Sequence, residues 1–92
     1  MFIDIGIAEE NGAIMASSMA LSGLKPVYFV YATFLQRAYD EIIHDIARIN
    51  SHVVFCVDHA GLVAHDGDTH QGIYDLAMYS SIPGLTILNP TS

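Results

Sequence analysis

The chain has 92 residues, room for one small domain, and sets 10 acidic residues against only Lys25, Arg37 and Arg48, a formal charge of −7. With no basic patch, nucleic acid and anionic membrane surfaces are poor partners on electrostatic grounds, and no apolar run approaches the roughly 20 residues of a membrane span. Hydrophobic residues make up 52% and charged residues 14%, a balance that implies apolar faces meant for a neighbouring domain or a second copy, while the single Cys56 rules out an intrachain disulfide and fits a reducing, cytoplasmic setting.

In chain order, Phe2-Ile3-Asp4-Ile5 reads as a strand end or an extended approach closed by Gly6, with no basic leader of the kind a signal peptide needs. Residues 9–22 are rich in Ala and Met, and Ile14, Met15, Ser18, Met19 and Leu21 supply a helical face. Gly23 is a stop signal for that helix. After Lys25-Pro26, Val27 to Tyr31 is a buried-strand pattern. Thr33 is placed to cap a long helix over 34–50, with Leu35, Ala38, Tyr39, Ile42, Ile43, Ile46 and Ile49 at helical spacing. Val53 to Val57 is the next strand, with Cys56 inside it as a buried, inert thiol. A polar loop over 58–72 follows, then a helix over 73–80, a turn at Pro83-Gly84 and a last strand over 85–88. Strands alternating with helices predict an α/β three-layer sandwich with a mostly parallel sheet. The ends fall abruptly beside elements, as in a piece of a larger protein.

The loop over 58–72 holds three of the five His, three of the 10 acids and three of the seven Gly. It leaves a strand, and in parallel sheets ligands gather at the carboxyl ends of strands. Three readings stand. His59, His65, Asp66, Asp68 and His70 are available metal donors, although their spacing fits no familiar zinc pattern and Asp66-Gly67-Asp68 lacks the rest of a calcium loop. The segment can equally be a solvated loop without a role. The third reading is a ligand lip, in which Gly67 and Gly72 permit tight turns while Asp66 and His70 reach into a cleft, the His exchanging protons near neutral pH. Glu9, at the start of the first helix, either offsets the partial positive charge of the helix N-terminus or serves a site. The segment Tyr31 to Asp40 crosses from a strand end into a helix and reads as a cap with core aromatics, or as part of the same site.

Four stretches taken together carry more. They are Asp4-Ile5-Gly6-Ile7-Ala8-Glu9, Gly23-Leu24-Lys25-Pro26-Val27, Thr33 to Asp40 continuing into Ile43-His44-Asp45, and Ala60-Gly61-Leu62-Val63 with Asp66-Gly67 and Thr69-His70-Gln71-Gly72. In this order the chain resembles the pyrimidine-binding domain of thiamine-diphosphate enzymes of the transketolase superfamily, and within it the 1-deoxy-D-xylulose-5-phosphate synthase family. The resemblance implies a truncated thiamine-diphosphate-binding fold of the pyrimidine type over 1–92, part of a larger multidomain chain. It also implies roles. Glu9 matches the glutamate that hydrogen-bonds N1′ of the aminopyrimidine, favouring the imino tautomer that removes the thiazolium C2 proton. Phe34 matches the aromatic stacked on the pyrimidine, and Ile7 lies beside it on the cofactor side. Tyr31 and Arg37 match the lining of the acceptor pocket, where Arg suits a phosphate or a sugar oxygen. Asp66 and His70 match polar residues of the substrate channel, with His70 a catalytic candidate beside Glu9.

The family decarboxylates pyruvate on the cofactor and passes two carbons to glyceraldehyde 3-phosphate, feeding isoprenoid, thiamine and pyridoxal precursors. Its diphosphate and magnesium are held by a separate domain with a Gly-Asp-Gly motif that this sequence lacks, so no residue here is a metal ligand by the resemblance. A homodimer is implied. The sequence departs from the family in three places. Glu10-Asn11 replaces Gln-His, His59 takes the place of an Arg that helps hold the acceptor phosphate, and His65 and Asp68 replace small residues or Pro. His59 therefore stands on the substrate side as the residue that would alter acceptor choice. A transketolase-like or dehydrogenase-type half protein, and a non-catalytic α/β interaction module, are the alternatives.

Overall fold

In the computed structural model, which describes residues 1–91, the first element is helix α1 (Glu9–Leu21). Glu9 and Glu10 open it, where the unpaired N–H groups of the first turn favour negative charge. It ends at Gly23 as expected. The N–H of Leu24 donates to the Met19 carbonyl and the N–H of Gly23 to the Ala20 carbonyl, both at 3.0 Å. That pattern needs the left-handed backbone Gly23 supplies at φ +92°. The buried face is not the expected one. Gly12, Ala13, Ala16 and Ser17 point inward, while Ile14 and Leu21 face solvent. Small side chains let α1 lie close against its neighbour, and a branched residue there would hold the two helices apart.

Strand β1 (Val27–Tyr31) pairs in parallel with β2 (Val54–Asp58). Their register sets Tyr28 beside Phe55 and Val30 beside Val57, and these four pack against the core. The core itself is Ala13 with Leu35, Ala38, Ile42, Ile46, Tyr79 and Ile82. Val27 and Phe29 alternate to the other face and stay exposed.

Between the strands runs a helical stretch over 32–47. It comprises α2 (Ala32–Leu35), a 3₁₀ turn (Gln36–Ala38), α3 (Tyr39–Glu41) and a π-helical segment (Ile42–Ala47). Leu35, Ala38, Ile42 and Ile46 from the expected periodic set are buried, while Ile43 and Ile49 are exposed. Thr33 does not cap this stretch. The chain turns into helix straight from β1, with Tyr31 at the cap position and no side-chain bond there. At the far end the spacing widens, with the N–H of Arg48 bonding the Ile43 carbonyl and that of Ser51 bonding the Ile46 carbonyl, each at 2.9 Å. The buried Ser17 ties this segment to α1. Its Oγ donates to the Asp45 carbonyl at 2.5 Å, and its carbonyl accepts from Ser51 Oγ at 3.2 Å.

The last helix, α4 (Asp75–Tyr79), lies within the expected 73–80. The α/β architecture with a parallel sheet is found, and among the described residues the sheet has two strands. Among the described residues, 85–88, expected as a strand, and 2–5, expected as a strand end or an extended approach, join no ladder. Strand propensity is realised through a partner and a packed face. Here Phe2 is 90% and Leu88 82% exposed, so neither segment has the covering surface that would fix it. Among the described residues, no helix is long and apolar enough to cross a membrane.

Candidate active site

The parallel register brings Tyr31 level with Asp58, so the chain leaves both strands at one edge of the sheet. From there an aromatic and imidazole ladder builds up. The Tyr31 ring stacks on Phe34 at 5.4 Å with planes 7° apart. His59 lies against Tyr31 at 4.0 Å. His70 meets Phe34 edge-on at 5.3 Å and 82°, and the Arg37 guanidinium sits 5.7 Å from the Phe34 centroid. Arg37 continues the chain of contacts to α1, its Nη1 lying 3.3 Å from both oxygens of Glu9. Glu9 is only 7% exposed, whereas the Arg37 side chain is 54% exposed.

Glu9, Tyr31 and Phe34 line one cleft of about 650 Å³, within the usual size of a small-molecule site. Tyr28 stands behind Glu9, its hydroxyl 3.5 Å from the Glu9 carbonyl oxygen. Burial, and then the charges of Glu9 and Glu10, push its phenol pKa above the ordinary value.

The loop is held by its own groups. Gly61 and Gly72 exchange two backbone hydrogen bonds of 2.9 Å. The Gln71 side chain accepts from the Val63 N–H at 2.6 Å and donates to the carbonyls of Val63 at 3.0 Å and Gly67 at 2.5 Å. His59 Nδ1 is hydrogen-bonded to Asp66 Oδ2, joining the start of the loop to its tip. Thr69 Oγ1 lies 2.8 Å from His70 Nδ1. His65 is exposed, at φ +69°. Among the described residues no three His, Cys, Asp or Glu gather as a metal-holding group.

Gly72 is where the pieces meet. A Cβ there would lie 2.7 Å from Asp75 Oδ2, 2.8 Å from the His59 carbonyl oxygen and 2.9 Å from the Ala32 Cβ. Only glycine admits that approach. Both Asp75 oxygens and the Tyr79 hydroxyl are sealed from solvent and, among the described residues, find no hydrogen-bond partner. Burial raises the Asp75 pKa. Burial, then the charge of Asp75 and then Tyr39, raise that of Tyr79.

Glu9, Tyr31, Phe34, Arg37, His59, Asp66 and His70 thus form one connected patch. Ile7 does not join it. It follows Gly6 at φ +65°, stays 90% exposed and lies outside the cleft lining. Cys56 is partly rather than fully buried. Tyr28, Gln71 and Asp75 were not foreseen. Tyr28 sits in a strand pattern that reads as plain core, and Asp75 looks like any first-turn acid. Gln71, next to a glycine the sequence did single out, was the one with a visible signal.

Residues 1–92 match the family described as transketolase, pyrimidine binding domain. The chain belongs to that family. Among curated relatives, the 1-deoxy-D-xylulose-5-phosphate synthase of Shouchella clausii is 55% identical over 95% of this chain, and that of Brevibacillus brevis is also 55% identical over 95%. The protein of the same name from Chlorobium luteolum is 54% identical over 98%. The chain spans 14% of the length of each of these relatives. This transketolase-type pyrimidine-binding domain therefore shares about half its residues with each of the three, across nearly all of its length.

Proposed function

We propose that this domain serves a thiamine-diphosphate-dependent transferase of the 1-deoxy-D-xylulose-5-phosphate synthase type, acting on pyruvate and glyceraldehyde 3-phosphate. The observation that carries the reading is a buried carboxylate, Glu9, on the same cleft as the aromatic pair Tyr31 and Phe34. A pyrimidine calls for a carboxylate toward a ring nitrogen and a flat apolar surface to lie on, and the cleft offers both. When bound, the cofactor supplies the carbon nucleophile that the protein's own side chains lack.

The residues then divide the work. Glu9, shielded from water, exchanges a proton with a ring nitrogen. Phe34 gives the ring its surface, and Tyr31 backs Phe34 on the acceptor side. Arg37 takes an anionic group of the substrate. His70, held by Thr69, donates or accepts a proton at a substrate oxygen. His59 and Asp66 border the acceptor. Their hydrogen bond ties the charge of Asp66 to an imidazole that contacts Tyr31. The diphosphate and its magnesium fall to another domain of a longer protein, which works in the cytoplasm as a homodimer.

The test is Glu9→Ala in the full-length enzyme, with product analysis from pyruvate and candidate aldehydes. Turnover should fall by about 100-fold or more, the usual contribution of a positioned acid–base group. Turnover close to wild type would refute the catalytic reading.

A further inference from the structure

Both oxygens of Glu9 lie at hydrogen-bond distance from one nitrogen, Arg37 Nη1. The acid proposed for the cofactor and the cation proposed for the substrate's anionic group are therefore occupied by each other. We propose that the Glu9–Arg37 ion pair is an internal placeholder that couples the two subsites, so that a pyrimidine engaging Glu9 releases Arg37 to an oxyanion. This rests on the assignment of Glu9 to the pyrimidine made above.

Three observations carry it. Glu9 is buried, and a buried carboxylate is costly without a cation or donors, so something must satisfy it when no ligand does. Arg37 answers from a half-exposed position on the 3₁₀ turn, where its guanidinium also lies over the Phe34 ring. It can swing without unpacking the core. The contact also uses Nη1 alone rather than the two-pronged fork of a strong Arg–carboxylate pair. A closed pair of this kind is strong enough to keep Glu9 satisfied and weak enough to yield.

Linkage makes the effect reciprocal. Whatever factor the cofactor adds to oxyanion affinity, the oxyanion adds to cofactor affinity. The oxyanion can be a phosphate or a carboxylate, and two unreactive probes separate them: glycerol 3-phosphate and oxamate.

The experiment is calorimetric titration of the full-length enzyme, first stripped of cofactor and then loaded with thiamine diphosphate and magnesium. In the wild type, one probe should bind about five- to tenfold more tightly to the loaded form, and the probe that does so identifies the group Arg37 takes. This first measurement needs no variant. In Glu9→Gln the stripped enzyme should bind that probe as tightly as loaded wild type, because Arg37 is already free. In Arg37→Gln, thiamine diphosphate should bind at least as tightly as to wild type, and the coupling should vanish. If neither probe distinguishes stripped from loaded wild type, or if stripped Glu9→Gln gains nothing, the placeholder is wrong. If Glu9→Gln leaves thiamine diphosphate affinity unchanged, the assignment of Glu9 to the pyrimidine fails, and the placeholder with it. If Glu9→Gln weakens the cofactor tenfold while both probes stay indifferent, that assignment stands and only the coupling falls.

Discussion

Asp75 is a carboxylate enclosed at the foot of the site loop with no group to bond it. Burial raises its pKa, so the folded protein holds that proton more tightly than the unfolded chain does. Its contribution to stability is therefore full below the ordinary carboxylate pKa of about 4 and is lost as pH rises through the raised folded value. Denaturant unfolding should show stability falling as pH rises above about 4, and Asp75→Asn should flatten part of that fall. An unchanged slope in the variant would place the cause elsewhere. The same residue lines the space into which a Gly72→Ala methyl group would go. That substitution should cost about 1–3 kcal/mol by overpacking, read as a lower denaturation midpoint. Glu9, Phe34 and Arg37 were legible because each sits in a short run of distinctive residues at an element boundary. Asp75 was not, since its meaning comes from the burial of its carboxylate, and burial is a property of the folded chain.

At the scale of elements, α1 shows why periodicity alone can choose the wrong face. Hydrophobicity ranks Ile14 and Leu21 above Ala13, Ala16 and Ser17, yet it is the small residues that are buried, because close helix approach rewards small size. The Gly23 stop, by contrast, is a local backbone requirement and could be read directly. Ser17 connects two elements through the hydrogen bond its hydroxyl donates to Asp45. Ser17→Ala removes that donor and leaves the carbonyl in the widened helical segment unpaired, a loss of about 1–2 kcal/mol expected in a thermal or denaturant melt. No change on that substitution would mean water satisfies the carbonyl. The parallel strand–helix order was legible from alternating patterns. The segments over 2–5 and 85–88 have strand-forming residues but, among the described residues, no neighbour to pair with.

For the whole molecule, the apolar surface foreseen from composition is present in specific places. Phe29 is 66%, Leu62 85% and Leu76 68% exposed. Exposed apolar area on this scale marks surfaces that interact. The isolated 92 residues should bind a hydrophobic dye or self-associate, and should bind thiamine diphosphate weakly or not at all, with no turnover. Micromolar binding to the isolated chain in a titration would contradict this.

The paired hydrogen bonds of Gly61 and Gly72 make the intervening residues a closed ring with fixed ends. Closure entropy grows only slowly with ring length, by about 0.6 kcal/mol per doubling. The residues over 62–70 other than Asp66, Gly67 and His70 can therefore be rewritten while the sheet edge and the helix start stay in register. Under the proposed function, acceptor preference can then drift along an evolutionary path that leaves the scaffold untouched, and a library confined to the rest of that ring, with Asp66 and His70 kept, samples new acceptors without first having to restore the fold.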